Sequence, residues 1–193
     1  MSAGEFLYKH RGLVPVLPIL YALIAADPRT HFVITGLTLM GLGESIRLWA
    51  AAHLGLIARS SSPRAIKLVT SGPYAHTRHP LYWGNFCLAL GFCTVSGAGS
   101  PWFALLVTLG FLALYSGHAR REERVLAAEF PDEFEIYRRR VPAFLWAPRP
   151  RSAPQAGDTG APSIRQALRV EALTLNAEFW LLITLWARVR WIP

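Results

Sequence analysis

Charge is what this chain lacks. Only 17% of its 193 residues are Asp, Glu, Lys or Arg, against about 25% in soluble proteins. From His79 to Ala119, forty-one residues, there is none; Gly12 to Ala26 and Thr30 to Gly43 are also uncharged, and Leu48 to Ala58 follows after only Glu44 and Arg47. A bilayer core takes roughly 20 residues of helix, with a lower limit near 17. The 79–119 run is therefore long enough for two crossings, with Ser96-Gly97-Ala98-Gly99-Ser100-Pro101 as the turn between them. Runs of this length weigh against a large soluble helical core. Other absences narrow the chemistry. There are two cysteines, Cys87 and Cys93, six apart in an apolar stretch without a paired metal spacing, so they read as small core residues. None of the six histidines forms a His-Glu-x-x-His pattern; His118 and Glu122, four apart, and His76 and His79, three apart, are too sparse for a ligand set, and no metal is expected. Gly41-Leu42-Gly43-Glu44 follows no strand, which rules it out as a dinucleotide loop, and no serine nucleophile elbow or phosphate loop is present. No small-residue cleavage site precedes Asp27-Pro28-Arg29, so the first apolar run reads as a retained helix.

The charge that is present has a sign and an address. Twenty basic residues against twelve acidic give +8. Lys9, Arg11, Arg59, Arg64, Lys67, Arg78, Arg120, Arg121, Arg124 and Arg138 to Arg140 fall in segments that alternating topology puts on one side, while the opposite connections, Asp27 to Thr30 and Gly97 to Ser100, are short. The positive-inside rule makes the basic side, with the N-terminus, cytoplasmic. Such a face suits anionic headgroups; nucleic acid is the weaker partner, because no recognition motif accompanies the arginines. The expected fold is all-α, a polytopic integral-membrane bundle of about five membrane helices. Residues 1–147 form its core: a helix from Gly12 to Ala26, a second from His31 to about Ala58, a loop opening at Arg59 to Pro63, and the hairpin within 79–119. After Gly117 the composition turns polar, and Val125, Leu126, Phe130, Phe134 and Tyr137 mark an amphipathic cytoplasmic segment interrupted by Pro131. Residues 148–163 read as a flexible Pro/Gly/Ala/Ser-rich linker. In 164–193 the stripe Leu168, Ala172, Leu175, Phe179, Leu182 and Trp186, interrupted by Glu171 and Glu178, predicts a last helix that crosses the membrane or lies in its plane.

Three polar constellations stand against this apolar ground. Gly72-Pro73-Tyr74 is a turn, and Arg78-His79-Pro80 is a helix entry with Pro80 at the first helical position. The amides of Leu81, Tyr82 and Trp83 would then face outward beside Arg78 and His79, an anion site, or the arrangement is a cap with a snorkelling arginine. Glu122 and Glu123 lie about one turn beyond the apolar part of their helix. They can bind a cationic group or a pair of hydroxyls, or serve as a solvated start paired with Arg120, Arg121 and Arg124. Taken together, with Tyr74, Tyr82, Trp83 and Tyr137 between them, the first two constellations suit a zwitterionic ligand with a cationic centre. Glu44 and Arg47, three apart on one helix face, make a structural clamp or line a substrate cavity.

At these residues the chain resembles the isoprenylcysteine carboxyl methyltransferase family, within the wider group that includes phospholipid N-methyltransferases. Two blocks carry the resemblance: GPYAHTRHPLYWG, within 71–84, and EERVLAAEFPDEFEIYRRRVP, within 120–142. Glu44-Ser45-Ile46-Arg47 is a weaker third match. The resemblance implies S-adenosylmethionine as methyl donor, bound at a non-Rossmann helical site on the cytoplasmic side. It implies that Tyr74, His79, Pro80, Tyr82, Glu122, Glu123 and Tyr137 line that site, that Glu123 serves catalysis, and that Arg78 and Arg140 orient an anionic acceptor. Pro131 and Phe134 depart from the family's Gly and Tyr, and Trp146-Ala147-Pro148 from its simpler Ile-Pro ending.

The residues suit that chemistry. Methyl transfer from a sulfonium neutralises charge, so positioning the reactants away from water is the main catalytic need. A carboxylate or thiolate acceptor needs no general base, and none stands out here; an amine must arrive neutral. The expected function is carboxyl O-methylation of a lipophilic small molecule or lipid that enters from the bilayer, with amine N-methylation and thiol S-methylation as rivals. An NADPH-dependent sterol-reductase-like enzyme and a non-catalytic lipid-binding protein are the readings from other classes.

Overall fold

The structure, a computed structural model, describes residues 16–55, 67–98, 101–151, 153–157 and 161–191. The expected helix start at Gly12, the loop opening at Arg59 to Pro63, and Lys9, Arg11, Arg59 and Arg64 lie outside the described residues. Within them the protein is an all-α bundle of six helices: α1 (Val16–Ile24), α2 (Thr30–Leu54), α3 (Pro80–Ser96), α4 (Pro101–Glu129), α5 (Pro131–Arg140) and α6 (Ile164–Trp191). One short antiparallel pair, β1 (Lys67–Leu68) with β2 (Ala156–Gly157), and a 3-10 turn at Gly72–Ala75 accompany them.

Among the described residues two helices, α4 and α6, are long and apolar enough to cross a membrane. Only 11% and 17% of their most apolar stretches are buried, whereas a core helix of a soluble protein hides its apolar side chains. Trp102, Leu106 and Leu109 on α4, and Leu173, Phe179 and Trp186 on α6, are instead exposed, as a lipid-facing surface requires.

The chain divides into two compact units. One comprises Met1–Gly43, Asn85–His118 and Thr174–Pro193. Its core is Ala22, Met40, Phe92, Cys93, Val95, Phe103 and Leu185. Here α2 and α3 approach backbone to backbone: a methyl on Gly36 would lie 2.6 Å from the Gly91 carbonyl oxygen. Close approach through small residues is how helices associate where the hydrophobic effect between them is weak. The end of α3 is fixed by Gly97, whose φ of 65° suits glycine. A side chain there would strike the Asp27 carbonyl at 2.0 Å, and the Asp27 amide donates to the Ser96 carbonyl at 2.9 Å.

The other unit comprises Glu44–Gly84 and Ala119–Leu173. Leu68, Phe134, Tyr137 and Val141 form one core cluster, and Ala50, Val69 and Tyr74 another. The polar stretch after Gly117 is not a separate segment: α4 runs unbroken to Glu129. Pro131 then opens α5, with Asp132 and Glu133 in its first turn and Arg138, Arg139 and Arg140 in its last, an order that complements the helix dipole. The described residues between 151 and 157 make bonds to the segment 67–75. β2 pairs with β1, the Arg151 amide donates to Ala75 at 2.9 Å, and Thr70 Oγ1 donates to the Ala153 carbonyl at 2.9 Å.

Candidate functional site

Both sequence blocks lie in the second unit, and the segment 76–79 is bonded along 141–147. The Arg78 amide donates to Pro142 at 2.9 Å and the Ala147 amide to His76 at 2.9 Å. Thr77 Oγ1 donates to Ala143 at 2.8 Å. At the entry to α3 the His79 carbonyl accepts the amides of Tyr82 at 3.2 Å and Trp83 at 3.4 Å. Two of the three amides are thus engaged by the residue that caps the helix, which favours the cap among the two readings of this entry.

His79 instead meets carboxylates. Its Nε2 lies 3.0 Å from Glu123 Oε1 and its Nδ1 3.6 Å from Glu122 Oε2. The ring is buried, stacked on Tyr82 at 5.2 Å and 8°, with Phe144 at 5.4 Å on a tilted approach. Burial pulls the imidazole pKa down, but hydrogen bonds to Glu122 and Glu123 and their charges outweigh it, leaving the pKa raised from 6.5. Arg78 Nε donates to the same Glu123 oxygen at 2.8 Å, and its Nη1 donates to the carbonyls of Arg138 at 3.0 Å and Val141 at 2.6 Å. Expected as an acceptor-orienting group, Arg78 is thus a clamp between the blocks. Arg140 is exposed at the end of α5, its carbonyl accepting from Arg151 at 2.7 Å.

The remaining expected residues divide by exposure. The Glu122 side chain is 59% exposed and that of Glu123 22%. Tyr74, Tyr137 and Pro80 are buried, and the Tyr137 hydroxyl donates to the Tyr74 carbonyl at 2.8 Å. Burial pushes both phenols' pKa up. Glu44 and Arg47 are buried too, 3.7 Å apart, and Arg47 also binds Glu171. In the sequence Glu171 stands as an interruption of an apolar stripe. The signal was there, since a carboxylate in such a stripe requires a partner. Phe144 gave no comparable signal.

The phospholipid methyltransferase family model matches residues 31–133, more than half of the chain and both carboxylates of the His79 cluster. The chain belongs to this family. Membership in this family supports methyltransferase activity, and the S-adenosylmethionine-utilising class implies that cofactor. Among similar proteins are a nickel-cobalt-cadmium resistance protein, NccN, of Alcaligenes xylosoxydans xylosoxydans, 36% identical over 73% of this chain and 67% of that protein. A cobalt-zinc-cadmium resistance protein, CzcN, of Cupriavidus metallidurans is 42% identical over 56% of this chain and 48% of its own length. The protein-S-isoprenylcysteine O-methyltransferase of Schizosaccharomyces pombe is 36% identical over 53% of this chain. The alignment spans less than half of the last two relatives, 48% and 44%. No solved structure matches this phospholipid methyltransferase family member.

Proposed function

We propose that the protein is an integral-membrane methyltransferase that moves the methyl group of S-adenosylmethionine to a lipophilic acceptor. The observation that carries this reading is the convergence of Arg78 and His79 from one block with Glu122 and Glu123 from the other. The residues fit the cofactor: an exposed carboxylate suits its cationic and hydroxyl groups, and the Tyr82–His79–Phe144 stack is an aromatic surface beside it. When bound, the cofactor supplies an electrophilic methyl on a sulfonium. Glu122, His79 and Tyr82 would hold it. Glu123 and Arg78 position His79, while Pro80 and the Tyr74–Tyr137 bond hold the wall behind. We further propose five membrane helices with the basic side cytoplasmic, which the placement of arginine in α5 and the following loop supports.

The acceptor we propose is a lipophilic carboxylate, giving a methyl ester. The match of both blocks to the carboxyl-methylating branch supports it, and such an acceptor needs no base. A lipid amine is the second reading, favoured by the engagement of Arg78 with Glu123 and two carbonyls. Membranes incubated with methyl-labelled cofactor distinguish the two. Label in the lipid extract that mild base releases as volatile methanol supports the ester, base-stable label supports the amine or a thioether, and no transfer refutes the methyltransferase. In a thermal-shift assay S-adenosylhomocysteine should stabilise the purified protein by about 2.7 kcal/mol at 100-fold excess over Kd, and NADPH should not.

A further inference from the structure

From Arg138 to Arg151 the chain carries five arginines and no carboxylate, and between Val141 and Arg151 arginine is the only polar residue type. In the middle of that loop Leu145 is 77% exposed and Trp146 38%. The exposure does not come from a loose backbone. The carbonyls of Pro142 and Ala143 accept from Arg78 and Thr77, that of Phe144 accepts from the Trp83 indole, and the amides of Ala147 and Arg151 donate to His76 and Ala75. Held on both sides, Leu145 and Trp146 are presented outward. Trp146 stacks on His76 at 5.5 Å and approaches Trp49 at 6.4 Å, itself 41% exposed, which widens the apolar face. The rim is positive. Arg138 and Arg139 share Glu135, which they neutralise, and Arg140, Arg149 and Arg151 are exposed beyond them.

We propose that residues 143–151 form a lipid-docking wedge, in which Leu145 and Trp146 enter the headgroup layer of a bilayer and Arg149 and Arg151 meet anionic phospholipid. Tryptophan belongs at that depth, and an apolar tip with a basic rim is how peripheral anchors combine area with charge. The assignment stands independently of the methyltransferase reading.

The test places an environment-sensitive fluorophore on Leu145→Cys in a full-length chain with Cys87→Ala and Cys93→Ala, reconstituted in vesicles with and without phosphatidylserine. With the anionic lipid the emission should shift to the blue and be quenched more by a spin label near the headgroup than by one deep in the acyl chain. Arg149→Gln with Arg151→Gln should weaken that response by about fivefold per arginine, from the usual contribution of a basic residue near an anionic surface. Emission that stays water-like, is quenched best by the deep label, or is blue-shifted without any lipid quenching overturns the proposal; the last would mean that protein covers the loop. In the unaltered protein, a photoactivatable phosphatidylserine should attach to the tryptic peptide 141–151, and its absence from that peptide would count equally against the wedge.

Discussion

Glu122 and Glu123 are neighbours that the sequence makes equivalent, and the structure predicts that they fail differently. Glu123 receives Arg78 at 2.8 Å and His79 at 3.0 Å, with side-chain exposures of 22%, 13% and 5% for the three residues. Glu123→Gln keeps an oxygen acceptor but removes the charge that faces the largely buried Arg78 and His79. Breaking a buried pair costs about 3–5 kcal/mol, and a charge-assisted hydrogen bond is worth about 1.5–3 kcal/mol. Because water reaches part of Glu123, the lower end applies, about 3 kcal/mol. Glu122 stands 3.6 Å from His79 with 59% of its side chain exposed, and an exposed pair contributes about 0–1 kcal/mol. For a chain of this size about 1 kcal/mol moves Tm by roughly 2–4 °C, so Glu123→Gln should lower Tm by about 6–12 °C and Glu122→Gln by less than about 4 °C. Calorimetry with S-adenosylhomocysteine should show the complementary pattern for Glu122→Gln: a nearly native Tm with affinity reduced about tenfold or more, the loss of one charge-assisted contact. Equal Tm losses in the two variants, or a Glu122→Gln protein that binds like wild type, would refute the division between holding and binding.

The same cluster predicts a pH dependence. His79 has a pKa raised from 6.5, so its contribution to stability is whole below that value and is lost as pH rises through the folded-state pKa; Tm followed upward from about pH 6 should fall, and the fall should be smaller in Glu123→Gln. Arg47→Met leaves the buried Glu44 and Glu171 without the guanidinium they share, a loss of about 3 kcal/mol or more in thermal unfolding, and adding Glu171→Gln should restore part of it. Gly36→Ala forces a methyl within 2.6 Å of Gly91, whereas a methyl added at Gly41 would meet nothing within 4 Å. The first should therefore destabilise by about 1–3 kcal/mol, and Gly41→Ala should be neutral or stabilising by up to about 1 kcal/mol, measured by the same melts.

Much of the architecture was legible because its cause is local. Uncharged runs announce helices for an apolar surrounding, and proline and glycine punctuate them: Asp27-Pro28 after α1, Pro101 at the start of α4, Pro131 between α4 and α5. The resemblance singled out the two blocks, and the contacts of Arg78 and His79 with Glu122 and Glu123 are what the fold adds. Partners far apart in the chain were not legible. Arg47 and Glu171 are separated by 124 residues, and nothing in either neighbourhood names the other. Likewise Tyr137 carries the mark of a site residue in sequence, yet in the fold its hydroxyl supports Tyr74 from within the core.

The sequence by itself determined the helical bundle, the basic excess and the residue types available for chemistry, because periodicity, propensity and charge act over a few residues. Only the tertiary structure decided which groups are spent on holding the chain together. Burial and bonding across the fold make Arg78 and Glu123 a clamp, close the amides at the start of α3 over the His79 carbonyl, and leave Glu122 facing outward. Those differences come from which neighbours exclude water from each group, and that is a property of packing.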